Sequence, residues 1–207
     1  MSDFFTMASL VFVVGSGIRL ATPFLLAALG ETIGQRSGVL NLGVEGVMLL
    51  GAFGAYYTIL ETKTPVLGVL VGIGVGLVMG VIYGLVTVSL RAEQGISGIG
   101  IFLFGLGMSD LLFQKQVGTP LPIRGFDDWY IPLLSDIPKV GEMFFQHSVL
   151  VYLAFALVPV VAFLLNRTTF GLNVRAVGEN PAASDSLGVS VARVRYGTII
   201  LANLLAG

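Results

Sequence analysis

Apolar runs of about 20 residues, divided by short polar breaks, dominate the chain, and a bilayer core of about 30 Å calls for helices of that length. The runs cover residues 7–29, 39–60, 65–90, 96–113 and 148–165, and a sixth starts at 197 and continues to residue 207. This pattern predicts an all-α, polytopic transmembrane helical bundle of about five complete spans plus the start of a sixth. The sixth run holds eleven residues, which reach only about half way across a bilayer core. Residues 1–207 are therefore expected to be a single transmembrane domain forming the N-terminal part of a longer fold.

Polar residues inside the runs are the first candidates for chemistry. Gly15, Ser16 and Gly17 loosen the first run, Arg19 follows them and Pro23 comes next. An arginine at the bilayer midplane is disfavoured by about 2.5–3.5 kcal/mol, so it should face protein or water; near a helix end it would snorkel to the headgroups instead. Residues 30–38 read as a polar turn. In the second run Asn41 and Glu45 fall four apart and would share a helix face. They are either a translocation-path site or a pair bonded to each other and to nearby backbone at the membrane edge. Asp110 in the fourth run is either an intramembrane counter-charge to Arg19 or a boundary residue beside Gln114 and Lys115. In the third run Gly68, Gly72, Gly76, Gly80 and Gly84 recur at every fourth position, which makes a smooth stripe for backbone-to-backbone helix packing. Residues 117–147 form a long connection with Trp129 and Tyr130 suited to the headgroup level, and 133–145 is expected to hold an interfacial or re-entrant turn. Pro159 is expected to kink the fifth run.

Composition narrows the function classes. Hydrophobic residues make up 55% of the chain and charged ones 11%, with a net charge of −1, so the protein is an integral membrane protein without an electrostatic case for nucleic acid. The absence of cysteine removes disulfides, thiolate nucleophiles and thiolate-bound metals. No Gly-x-x-x-x-Gly-Lys-Ser/Thr phosphate loop occurs, so ATP is not bound by that device. His147 beside Ser148, with Asp136 or Asp110 elsewhere, is the nearest approach to a catalytic cluster, but a triad needs convergent geometry that adjacency does not supply. No catalytic, cofactor or metal residue is assigned, and the chain is expected not to be an enzyme. A channel or secondary carrier would suit the glycine-broken spans.

Neither of those readings accounts for the polar loop at 166–196. It holds Arg167, Arg175, Arg193 and Arg195 and encloses a short helix at 181–187. Asn180 can cap the first turn, Pro181 loses nothing at the first helical position, and Gly188 suits a left-handed ending. Two turns are too short to stand alone in water, so flanks or a partner must hold them. Small residues at Ala182 and Ala183 permit close contact, and Leu187 adds an apolar anchor. A separate ATPase could push such an element, though an ordinary surface helix would share the same signature. With five spans before it, this loop lies on the same side as Arg36 and Arg91, making six positive residues against four opposite, Lys63, Lys115, Arg124 and Lys139. That bias places the loop in the cytoplasm and the N-terminus outside.

Residues 176–189, Ala-Val-Gly-Glu-Asn-Pro-Ala-Ala-Ser-Asp-Ser-Leu-Gly-Val, closely resemble the coupling-loop signature of bacterial ABC-importer permeases of the branched-chain amino acid and simple-sugar type. Residues 37–46, Ser-Gly-Val-Leu-Asn-Leu-Gly-Val-Glu-Gly, look like the early membrane motif of the same family. Thr22-Pro23 and residues 133–138 resemble the nucleoside and simple-sugar branch. The resemblance implies a multi-pass permease of the bacterial inner membrane, importing a small polar solute such as a nucleoside or simple sugar. It further implies an ATP-binding subunit docked on a coupling helix formed by Glu179, Asn180, Pro181, Ala182, Ala183, Ser184, Leu187 and Gly188. A second permease subunit and an extracytoplasmic substrate-binding protein would complete the assembly, with no cofactor in this chain.

Overall fold

The computed structural model describes residues 7–130 and 140–207. The chain is a helical membrane protein whose elements run α1 (Met7–Arg36), α2 (Val44–Thr62), α3 (Pro65–Gly84), α4 (Gln94–Gln116), β1 (Asp128–Tyr130), α5 (Val140–Phe144), β2 (Gln146–Ser148), α6 (Val149–Arg167), α7 (Thr169–Glu179), α8 (Pro181–Ser186) and α9 (Val191–Ala206). Four helical stretches are long and apolar enough to cross a bilayer, Ser9–Arg36, Pro65–Ser89, Gln94–Gln116 and Val149–Arg167. The 25-residue stretch from Pro65 would extend about 37 Å, enough to cross the hydrocarbon with some tilt. α2 matches them with 19 residues but carries Glu45 and Glu61 near its ends.

Three expectations are corrected. The polar stretch at 30–38 is helical as far as Arg36, because Thr32 donates to the Ala28 carbonyl at 2.8 Å and Ile33, at 2% exposure, packs with Val161, Leu165 and Val174. The second run becomes helical only at Val44, so Asn41 lies in irregular backbone and shares no helix face with Glu45. The sixth helix starts at Val191, taking in Arg193 and Arg195, with Ser190 as its N-cap. Residues 131–139, which hold most of the expected interfacial turn and the 133–138 resemblance, lie outside the described residues.

By contact the described residues fall into two units, 7–25 with 125–130 and 140–159, and 26–124 with 160–207. In the first, β1 and β2 pair antiparallel with Trp129 opposite His147, and Trp129 meets the Tyr152 ring edge-on at 6.4 Å. In the second, α3 packs between α2 and α9, while α4 lies along α2. The glycine stripe lines this seam as its spacing predicts: a side chain on Gly76 would strike the Asn203 carbonyl, and one on Gly84 the Tyr196 ring. α2 and α4 touch through Gly46 and Gly105, whose backbones meet directly. At the end of α3, residues Leu85–Ser89 widen into a π-helical turn, and Glu93 caps α4 by accepting from Gly95 and Ile96 backbone N–H groups at 2.9 and 2.6 Å. Those two bonds hold the Glu93 carboxyl below the usual carboxylate range. The ionised cap is therefore in place at neutral pH and is lost only as pH falls through that lowered value.

Candidate coupling site

The loop at 166–196 is almost wholly helical. Thr168 caps α7, its hydroxyl accepting from the Gly171 N–H at 3.2 Å, and the α7 face formed by Gly171, Val174 and Val177 is buried. α8 then has the ends that its sequence marks. Asn180 Oδ1 accepts from the Ala183 N–H at 3.0 Å, Pro181 occupies the first helical position, and Gly188 takes φ +86° while Val189 N–H closes onto the Ser184 carbonyl at 3.0 Å. The helix ends at Ser186, with Leu187 as its C-cap. Ser184, 4% exposed, is its one buried residue, and Ser184 Oγ donates to the Asn180 carbonyl at 2.9 Å. Glu179, Pro181, Ala182, Ala183 and Gly188 stay exposed, and Leu187 is 84% exposed. An Asn180→Ala change removes the cap and is expected to cost about 1 kcal/mol, read as faster amide exchange across 181–187 with exchange in α3 unchanged.

The end of α7, which leads through Asn180 into α8, is braced by the other distinctive motif, 37–46. A side chain on Gly178 would run into the Arg36 carbonyl, and one on Gly38, which has φ +78°, would meet Gly178 and Arg195. The turn after α1 therefore lies backbone to backbone against the end of α7. From Gly38 to Gly43 the chain is irregular, and its polar groups are met from elsewhere in the fold. Gln94 accepts from Leu40 N–H at 2.9 Å and donates to the Gly38 carbonyl at 3.3 Å, while Tyr83 donates to the Leu40 carbonyl. Asn41 Oδ1 accepts from Gly43 N–H at 2.9 Å, and its amide donates to Asn203 Oδ1 on α9 at 3.3 Å. The Ser37 and Thr198 hydroxyls share a further bond at 2.8 Å. Non-helical backbone at membrane depth needs such internal partners, because lipid offers none. Gln94, Tyr83, Thr198 and Asn203 were not among the sequence candidates: Tyr83, Thr198 and Asn203 lie in runs that read locally as ordinary helix, and Gln94 in the short polar break at 91–94.

The remaining polar candidates do not join this cluster. Glu45 is exposed in the first turn of α2. Asp110 accepts from Gln114 at 2.7 Å and opens, with Tyr56 and Ser109, onto a cleft of about 770 Å³ between α2 and α4. Arg19 borders a separate concavity of about 340 Å³ in the first unit with Asp128 and His147. His147 is buried, and its Nε2 pairs with the Met143 carbonyl at 2.8 Å.

The pattern matches a known family over nearly its whole length. Residues 13–207 match the family described as branched-chain amino acid transport system / permease component. The chain belongs to this permease family. The permease is 40% identical over 194 residues to a chain from Haloferax volcanii named for a glucose ABC transporter permease, covering 92% of this chain and 58% of that relative. It is 33% identical over 208 residues to the nucleoside ABC transporter permease protein NupC of Lactococcus lactis, covering 96% of this chain and 66% of the relative. It is also 34% identical over 209 residues to the guanosine ABC transporter permease protein NupQ of Bacillus subtilis, covering 94% and 64%. The chain thus spans roughly three fifths of the length of these relatives. No solved structure matches it.

Proposed function

We propose that the chain is part of the membrane-spanning permease of an ATP-binding-cassette importer of the bacterial inner membrane, and that a separate ATPase subunit docks on α8. The observation that carries this reading is the union of an exposed, doubly capped two-turn helix with a buried motif that braces the helix leading into it. An isolated surface helix needs no such support. Here any displacement of α8 passes through Gly178 and Arg195 to the 37–43 segment, and from there through Asn41 and Asn203 to the membrane helices. The names of the relatives favour a nucleoside or a simple sugar as cargo. A second permease subunit and an extracytoplasmic binding protein fit the same reading.

Sidedness is supported by the same geometry. Arg36 ends α1 beside Gly178, and Arg91 and Arg195 border one groove, so basic residues from three connections lie at one end of the second unit. That clustering favours a cytoplasmic position for α8.

Ala183→Arg tests the docking. The position is exposed, so the variant should fold and insert normally. It is expected to lose co-purification of a co-expressed ATPase subunit of this importer class. Undiminished co-purification, or solute flux in liposomes from this chain alone, would overturn the proposal.

A further inference from the structure

A groove of about 820 Å³ is lined by Pro181, Ala182 and Asp185 of α8 together with the end of α3, the turn before α4 and the start of α9. Two arginines border it, Arg91 and Arg195, together with Thr87, Ser190 and one acid, Asp185. Neither guanidinium has a hydrogen-bond or ion-pair partner among the described residues. Arg195 Nε is shut off from solvent and still unpaired. A buried donor on a charged group is costly to leave unmatched, and with the exposed, unpaired Arg91 bordering the same concavity the two arginines call for an anion from outside the chain. Val191 and Ala192, in the first turn of α9, also border the groove, where unpaired helix N–H groups favour negative charge.

The position of the groove selects the kind of anion. Thr87 belongs to the end of one span, Pro65–Ser89, and the next span begins at Gln94, so the groove sits at the level where two membrane helices emerge. Leu90 and Ile96, on either side of Arg91 along the chain, are each 75% exposed. An apolar, outward-facing flank beside unpaired arginines suits acyl chains next to a headgroup better than it suits a soluble ion. The backbone holds Arg91 in place, with φ 55° and the Ala92 N–H bonded to the Val86 carbonyl at 3.1 Å.

We infer that this groove binds the phosphate-bearing headgroup of an anionic phospholipid, held by Arg91 and Arg195 at the edge of α8. The inference needs only that the chain is in a membrane and does not rest on the importer reading. Failure of the Ala183→Arg test would leave it standing.

The test uses the full chain in nanodiscs and in detergent, with phosphatidylglycerol compared with phosphatidylcholine. Native mass spectrometry should show phosphatidylglycerol retained in preference to phosphatidylcholine, and phosphatidylglycerol should raise the melting temperature. Arg91→Gln is expected to lower that preference about fivefold, and Arg91→Gln with Arg195→Gln by roughly the product of two such steps. Arg91 is exposed, so the single variant reports on binding even where the double variant folds poorly. Equal retention of both lipids by the unmodified chain, or a preference unchanged in Arg91→Gln, would overturn the inference. Stabilisation by inorganic phosphate in phosphatidylcholine that matches phosphatidylglycerol would also overturn it, assigning the groove to a soluble anion. So would lost ATPase co-purification in Arg91→Gln without any lipid preference, which would mark a protein contact.

Discussion

Gly178→Ala is expected to abolish both ATPase co-purification and ATP-driven uptake while the chain still accumulates in the membrane. The added Cβ would lie against the Arg36 carbonyl, closer than real side-chain carbons approach backbone. A carbonyl that ends a 30-residue helix cannot turn aside as a flexible side-chain tip can. α7 must then move off the turn at 34–38, and α8 moves with it, because only Asn180 separates the two helices. Overpacking of this kind typically costs about 1–3 kcal/mol, small beside the burial that inserts the spans, so membrane level should hold while docking fails. Gly197→Ala is the control: it lies in neighbouring α9, where an added Cβ would meet nothing within 4 Å, and it should behave as the unmodified chain does. Equal co-purification by the Gly178 and Gly197 variants would sink the claim that the two motifs brace each other.

Asn203→Leu is expected to lower thermal stability more than any exposed-face change, by about 1–3 kcal/mol, since it strips a buried amide of its partner. Asn203 is 1% exposed and Asn41 6%, so no water replaces the lost acceptor. The Asn41 amide would be left unpaired inside irregular backbone, next to the Ser37–Thr198 bond that also ties this segment to α9. The pair can be isolated by a double-mutant cycle with Asn41→Ala, and the coupling between positions should be favourable by about 1 kcal/mol. Melting temperatures in one fixed detergent measure it. Additive losses would show that the two amides do not depend on each other.

The short helix was legible because its determinants are local: Asn180, Pro181 and Gly188 each act within one turn of their own position. α7 was equally writable, since Phe170, Val174 and Val177 recur at helical spacing, but four arginines across the stretch drew the reading toward a charged loop. The start of α2 was not legible. Val39, Leu40 and Leu42 extend an apolar run without a break, and what keeps them out of the helix is supplied by Gln94 and Tyr83, more than forty residues further along the chain. Hydrophobic periodicity reports which residues avoid water. It carries no record of which distant amide will take a backbone bond.

The glycine face of α3 has a mechanical consequence. Interlocked side chains resist sliding because each knob must leave its hole and change rotamer before the helices can move. A face with glycine at every fourth position has no knobs, and it presents nearly the same contour after every four residues, a rise of about 6 Å. The side chains that cross the α3–α9 seam therefore come from α9, with Asn203 against Gly80 and the Tyr196 ring against Gly84. Such a contact sets the distance between the two helices by their backbones, so any side chain added on the α3 face widens the seam along its length. With no native cysteine in the chain, two introduced at Val75 and Ile200 would be the only labelling sites. Spin-label distances between them should then be short and narrowly distributed, and should lengthen in Gly76→Leu.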